Sequence, residues 1–300
     1  MQSSTATMRS LAKATRNLRR QRVRRLIGPI VAYTVLILLS AFVLLPIGWM
    51  LTVALKPDRV PVFTIPTEWF PTRYWQWSNF VRALTNSSRP FLLYTFNTVQ
   101  IVLGNIVGTV FSCSLVGYAF ARLRFRGRDL LFNLLILTML IPLPVLMIPQ
   151  FLLFHRLGWY GTYLPLIVPS FTGNAFFIFL IRQYMRSFPT ELDDAARIDG
   201  CSYWQIFWHI ILPLSKPVLA VCVVFTFLGS WSDLLGPLIY LDNGSKFTIA
   251  LGLANFVTRV GSNLNLLMAA NLVTIIPIIL VYFFAQDKLI GGIASVGLKG

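Results

Sequence analysis

Apolar residues run along this chain in six long blocks, and polar residues gather between them. The blocks cover roughly 27–55, 93–121, 130–154, 163–185, 211–236 and 266–286. Each reaches the ~20 residues that a helix needs to cross the hydrocarbon of a bilayer. The pattern predicts six transmembrane helices and an all-α integral membrane protein. Prolines punctuate the blocks, among them Pro142, Pro144 and Pro149 in the third, Pro165 and Pro169 in the fourth and Pro277 in the sixth. In a bundle, neighbouring groups can satisfy the carbonyls a proline frees, so kinks or breaks are expected there. The first block is too long and too late for a signal-peptide core and lacks a small-residue cleavage site, so it is expected to be retained.

One polar island, 188–210, stands out between the fourth and fifth blocks. Pro189 discourages helix before it. Thr190 takes an N-cap position with Asp193 three residues on, the spacing of a capping box. Glu191, Asp193 and Asp194 then fall in a first turn, where the helix dipole favours negative charge. Ala195 and Ala196 are small enough for close backbone approach. Gly200 can take the left-handed conformation that ends a helix. Ser202 and Gln205 form a second capping-box pair ahead of Ile206, Phe207 and Trp208. The expected shape is helix, glycine turn, helix on the membrane surface, gripped by a soluble partner.

Composition agrees with a membrane solvent. Hydrophobic residues make up 56% of the 300 and charged ones 12%, against about 25% charged in a soluble domain. The net charge of +16 is distributed by topology. Residues 1–26 form a basic, flexible arm with eight basic residues and no acid, and 122–128 holds four arginines. Both termini inside places 18 of the 26 basic residues on the cytoplasmic face, as the positive-inside rule requires. The charge therefore needs no nucleic acid, and anionic lipid is partner enough for the arm. Outside lie a loop at 56–92 rich in Pro and Trp, with its tryptophans expected at the headgroups, and a polar, flexible loop at 241–265.

Candidate chemistry is sparse. Cys113, Cys201 and Cys222 lack metal or redox spacing, and His155 and His209 read as interfacial or packing residues. Gly104-x-x-x-Gly108 has the small-xxx-small spacing of close helix packing, expected within one subunit. No phosphate loop, Ser/His/Asp set, metal cluster or GxGxxG occurs. No cofactor is expected in this chain. Asp233, beside Trp231 and Ser232 near one end of the fifth block, is the one ionisable candidate for a substrate pathway; Trp231 offers a ring for a sugar face. Asp233 equally reads as an interfacial residue bonded to backbone.

The island resembles the EAA loop of permease subunits of ATP-binding-cassette importers. That pattern is Glu-Ala-Ala, three residues, Gly, nine residues, Ile-x-Leu-Pro. Here Asp194-Ala195-Ala196 leads to Gly200, Ile210, Leu212 and Pro213 at the same spacing, with Asp194 in place of Glu. Gly117-Tyr118-Ala119-Phe120-Ala121-Arg122, Phe125-Arg126-Gly127-Arg128, Trp231-Ser232-Asp233 and the tail Gly297-Leu298-Lys299-Gly300 resemble the second permease of carbohydrate importers of the maltose type.

The resemblance implies the type I importer permease fold: a six-span domain at 27–290 with a cytoplasmic coupling-helix loop, and a cytoplasmic tail at 291–300. It implies coupling to an ATPase through Glu191, Asp194, Ala195, Ala196, Asp199, Gly200, Leu212 and Pro213, with a further contact through Gly297, Lys299 and Gly300. Implied partners are a second permease in a heterodimer, an ATPase homodimer that carries ATP and magnesium, and an extracytoplasmic solute-binding protein that faces 241–265. The location is the cytoplasmic membrane of a prokaryote. A polyol, a glycerol phosphate or an amino sugar could replace sugar as substrate. An ion-coupled secondary transporter would need acidic residues near the midplane, and a membrane enzyme would need a paired catalytic set.

Overall fold

The computed structural model of the chain describes the backbone of residues 2–63, 65–85, 91–260 and 263–297, with side chains described for 28–63, 65–85, 91–142, 144–255 and 263–286. All regular structure among these is helical. The chain divides into two compact units, 1–76 and 77–300.

The first unit is built on α1, Gln2–Ala54. The arm expected to be flexible is helical and continuous with the first span. Residues 2–27 contain no Gly or Pro and are rich in Ala, Arg and Leu, strong helix formers. From Gly28 the helix presents apolar side chains outward all round, Phe42 and Ile37 among them, as lipid or a partner helix requires. The following segment is tied down locally. Lys56 is fully buried and pairs with Glu68 at 3.0 Å, and the Thr52 hydroxyl donates to the Trp69 carbonyl at 3.0 Å.

The second unit begins with α2 (Ser78–Thr85) and α3 (Phe91–Arg122). Then come α4 (Arg128–Thr138), α5 (Leu143–Arg156), α6 (Leu164–Ile167) and α7 (Ala175–Met185). The polar island supplies α8 (Glu191–Ile198), α9 (Tyr203–Ile206) and α10 (Leu212–Leu214). The chain ends with α11 (Lys216–Trp231), α12 (Leu235–Tyr240), α13 (Ile249–Val260) and α14 (Leu264–Gly297). Helix α3 is the central element: α7, α11, α13 and the 3-10 turn Val168–Thr172 pack along it, and α14 packs on α11. The glycine pair works as expected. A Cβ on Gly104 would stand 2.7 Å from Ile167 Cγ2, and one on Gly108 would overlap Ser170 and Phe171, so both glycines serve packing inside this chain.

Four stretches among the described residues are long and apolar enough to cross a bilayer: Gly28–Ala54, Phe91–Arg122, Leu164–Met185 and Leu264–Gln286. The expected fifth span starts earlier and stops sooner than 211–236. It is a bent pair, Tyr203–Leu214 and Lys216–Trp231, meeting at 74°. The expected third span, 130–154, is two helices, α4 and α5. Pro142 is extended (φ −63°, ψ 133°) and cannot donate the N–H that would continue α4. At about 1.5 Å per residue neither half reaches across the ~30 Å core alone.

Two further boundaries differ from the sequence reading. The loop 241–265 is largely helical. Its amphipathic α13 lies on α3 because Gly252 lets the backbone close onto the Tyr94 ring. The Asn97 amide donates to the carbonyls of Ser245 and Phe247 at 2.8 and 3.0 Å, fixing the approach to α13. The expected tail at 291–300 is helical through Gly297, while Leu298, Lys299 and Gly300 lie outside the described residues.

Candidate functional site

The polar island folds as a helical hairpin. Helix α8 carries Glu191, Asp193 and Asp194 in its first turn. The capping box expected at its start does not form: Thr190 is itself helical in φ and ψ and its side chain caps nothing. Asp193 is engaged elsewhere, as described below. At the other end the Cys201 N–H donates to the Ala196 carbonyl at 2.9 Å and the Gly200 N–H to the Arg197 carbonyl at 3.0 Å. This is a Schellman stop with Gly200 at φ +82°, where an L side chain is strained although open space surrounds it. The second capping box forms. The Ser202 N–H donates to Gln205 Oε1 at 2.7 Å and the Gln205 N–H to Ser202 Oγ at 3.4 Å. Helix α9 then widens into a π turn at Phe207–Ile211, one residue before Leu212-Pro213, whose proline ring cannot sit under a tight turn. Here Leu212 is half-buried against the core and Pro213 is exposed. His209 faces outward and meets the Gln205 carbonyl at 3.1 Å, while His155 packs against the Phe151 and Tyr160 rings.

The last turns of α3 hold this hairpin. Arg122 Nε lies 2.7 Å from Asp193 Oδ2. Its N–H does not point along that line, so the contact is an ion pair without a linear hydrogen bond, and Asp193 Oδ1 is left without a partner. The other arms of the same guanidinium donate to the Phe188 carbonyl at 2.9 Å and the Pro189 carbonyl at 2.8 Å. Those carbonyls lie between α7 and α8 and have no helical partner. Four residues back, the Tyr118 hydroxyl donates to the Tyr203 carbonyl at 3.2 Å, and its ring packs on Phe207. Gly117 lets α3 close onto Ile181. Arg182 donates to the Phe120 carbonyl at 3.3 Å and lies 3.8 Å over the Phe132 ring. The Gly117–Arg122 segment is thus a clamp within the chain, a role its sequence did not disclose.

The clamp divides α8 into two faces. Asp193 and Ala196 point inward, and Ala196 belongs to the same buried cluster as Ile181, Ile206, Phe207 and Ile211. Glu191, Asp194, Ala195, Ile198 and Asp199 point outward, with Ile198 87% exposed. Of the two alanines, Ala195 is exposed, whereas Ala196 is buried in the chain's own core. Beside the outward face opens a cleft of about 620 Å³ lined by Arg124, Arg128, Arg186 and Arg197 with Asp194 at its edge. Arg197 stacks 4.9 Å over the Tyr203 ring.

The second pair of candidates separates. Trp231 is buried, stacked on Phe227, and donates from Nε1 to the Thr274 carbonyl of α14 at 3.2 Å. Its ring is packed within the chain in this structure. Asp233 lies between α11 and α12. Its Oδ1 accepts from the Gly236 N–H at 3.1 Å, and the side chain borders a cleft of about 380 Å³, of mixed polar and apolar lining, between α3, α11 and the broken stretch 166–174. Of the tail candidates, Gly297 closes α14 and Lys299 and Gly300 lie outside the described residues. Among the described residues no group of three metal-type side chains comes together.

Residues 113–294 match the family model described as "Binding-protein-dependent transport system inner membrane component". The arabinooligosaccharides transport system permease protein AraQ of Halalkalibacterium halodurans is 38% identical over 224 residues, covering 74% of this chain and 79% of that protein. The lactose transport system permease protein LacG of Rhizobium radiobacter is 30% identical over 273 residues, covering 90% and 96%. A solved bacterial ABC transporter involved in the import of the acidic polysaccharide alginate contains a chain with the same fold. It superposes with a TM-score of 0.75 at 24% identity, covering 89% of this chain and 98% of that one.

Proposed function

This chain belongs to the family of binding-protein-dependent transport system inner membrane components, and from that premise we propose that it is the permease subunit of a sugar or oligosaccharide importer, driven through the α8 hairpin. The observation that carries the coupling role is the division of α8. Its inner side is clamped to α3 by Arg122, while Glu191, Asp194, Ala195, Ile198 and Asp199 are left outward. A helix held so firmly and yet so exposed transmits force as a rigid body. A push on its outer face passes to α3 through Arg122–Asp193 and Tyr118–Tyr203. It passes to α11 through the 74° bend after α10. ATP and magnesium belong to the partner that docks there.

In this reading α4 and α5 together form one broken span, which brings the total to six and puts both termini on the cytoplasmic side. A second permease completes the pathway, an ATPase pair sits below, and a solute-binding protein meets the face that carries α13. The names of the relatives direct the first substrates to test: arabino-oligosaccharides and lactose. The experiment is uptake of these labelled sugars by cells expressing the chain with its neighbouring transport genes, compared with cells lacking only this chain. Uptake that survives the deletion would overturn the proposal.

A further inference from the structure

The cleft beside Asp233 runs alongside the middle of α3 and the last turns of α11. Asn105 is near the middle of α3, Thr226, Gly229 and Ser230 come from α11, and Ser170 comes from the 3-10 turn. Polar side chains and irregular backbone within apolar spans are tolerated where they line a water-filled cavity or are buried in protein. Two polar atoms here are buried without a hydrogen-bond partner, Asn105 Oδ1 and Thr226 Oγ1. The other end of the Asn105 amide meets Ser230 Oγ at 2.9 Å. Buried groups in folded proteins are satisfied in the great majority, so two orphans lining one cleft leave hydrogen-bonding capacity for a ligand.

Charge narrows the ligand. Asp233 is the one ionisable group bordering this cleft, and none of the described lining residues is basic. The amino end of α7 also faces this region and would attract an anion. Its first free N–H groups are already taken, because Asn174 Oδ1 accepts from Phe176 and Phe177 at 3.0 and 3.3 Å. We infer that this cleft binds an uncharged, hydroxyl-rich ligand in passage, a neutral saccharide, and that the Asp233 carboxylate turns anionic saccharides away. The inference rests on the sugar-permease reading and extends it to a site and a charge class.

Gly229 offers a structurally quiet probe, since a Cβ there meets no atom within 4 Å. In the assembled transporter, Gly229→Cys is treated with cationic and anionic methanethiosulfonate reagents and read against the parent chain, whose Cys113 and Cys222 are fully buried. The cationic reagent should react roughly tenfold faster, the scale of one nearby carboxylate at an intermediate dielectric. Asp233→Asn, which keeps an oxygen for the Gly236 N–H, should erase the preference. A neutral oligosaccharide from the uptake assay should slow the reaction, and a uronate oligosaccharide of equal length should not. Thr226→Val should lower sugar uptake several-fold without loss of thermal stability. Equal reagent rates, a preference that survives Asp233→Asn, no protection by the neutral sugar, or unchanged uptake in Thr226→Val would each overturn the inference. If no sugar is carried at all, the permease substrate reading fails instead, and the reagent rates still decide the charge of the cleft.

Discussion

Arg122 and Asp193 meet at 2.7 Å with 4% and 11% of their side chains exposed, joining the end of a membrane helix to the surface helix beyond it. A buried pair of this kind is costly to break from one side, because the remaining charge stays desolvated. Asp193→Ala should destabilise the purified chain by about 3–5 kcal/mol. Arg122→Lys should be nearly as harmful as Arg122→Ala, since an ammonium cannot serve the carboxylate and the Phe188 and Pro189 carbonyls together. Thermal unfolding in detergent checks both, and an Arg122→Lys variant as stable as the parent would remove the clamp from the account.

How far the sequence discloses this arrangement depends on range. Local signals read correctly: Gly200 ends α8, and Ser202 with Gln205 starts α9, because both depend on residues within one turn. Thr190 misled for the same reason. Its spacing to Asp193 fits a box, but the carboxylate finds a guanidinium brought in by α3, and a long-range ion pair outweighs a local cap. Ala196 was legible as small but not as inward, since only the packing of α3, α7 and α9 decides which face of α8 is covered. The third apolar block is read by two local signals together. Hydropathy counts its apolar residues as one span, and its prolines mark the break that falls at Pro142.

Gly200 should tolerate replacement according to φ, not size. No atom lies within 4 Å of a Cβ there, and φ is +82°. Gly200→Val should therefore cost about 1–2 kcal/mol, the price of the left-handed region for an L residue. Gly200→Asn should cost less, because Asn visits that region more readily. Comparing the two by chemical denaturation separates conformation from crowding. If both are equally destabilising, the Schellman turn is not what the glycine provides.

At Gly108 the opposite logic holds. The helix there has ordinary φ, and a Cβ would meet Ser170 Oγ and the Phe171 ring. Gly108→Ala should cost about 1–3 kcal/mol through overpacking, despite the higher helix propensity of Ala. Pairing it with Ser170→Gly should recover part of the loss. A double-mutant cycle on thermal stability gives the coupling, and strictly additive effects would mean that the two helices do not meet at this point.

The two faces of α8 make a last, sharper comparison. Asp194 is exposed on the outward face of α8, whereas Ala196 is 5% exposed inside the chain's own core. Asp194→Lys should leave stability within about 0.5 kcal/mol, as surface changes do, and should abolish co-purification of the ATPase together with sugar uptake. Asp194→Glu keeps the charge and should be nearly silent in both. Ala196→Trp also abolishes uptake, but by another route: an indole cannot enter the cluster with Ile181, Ile206 and Phe207, so the hairpin itself should lose its fold. Limited proteolysis distinguishes the routes, with new cleavage near Gly200 expected in Ala196→Trp and absent in Asp194→Lys. If Asp194→Lys retains both the ATPase and uptake, the outward face of α8 is a loop surface and the force enters the membrane elsewhere.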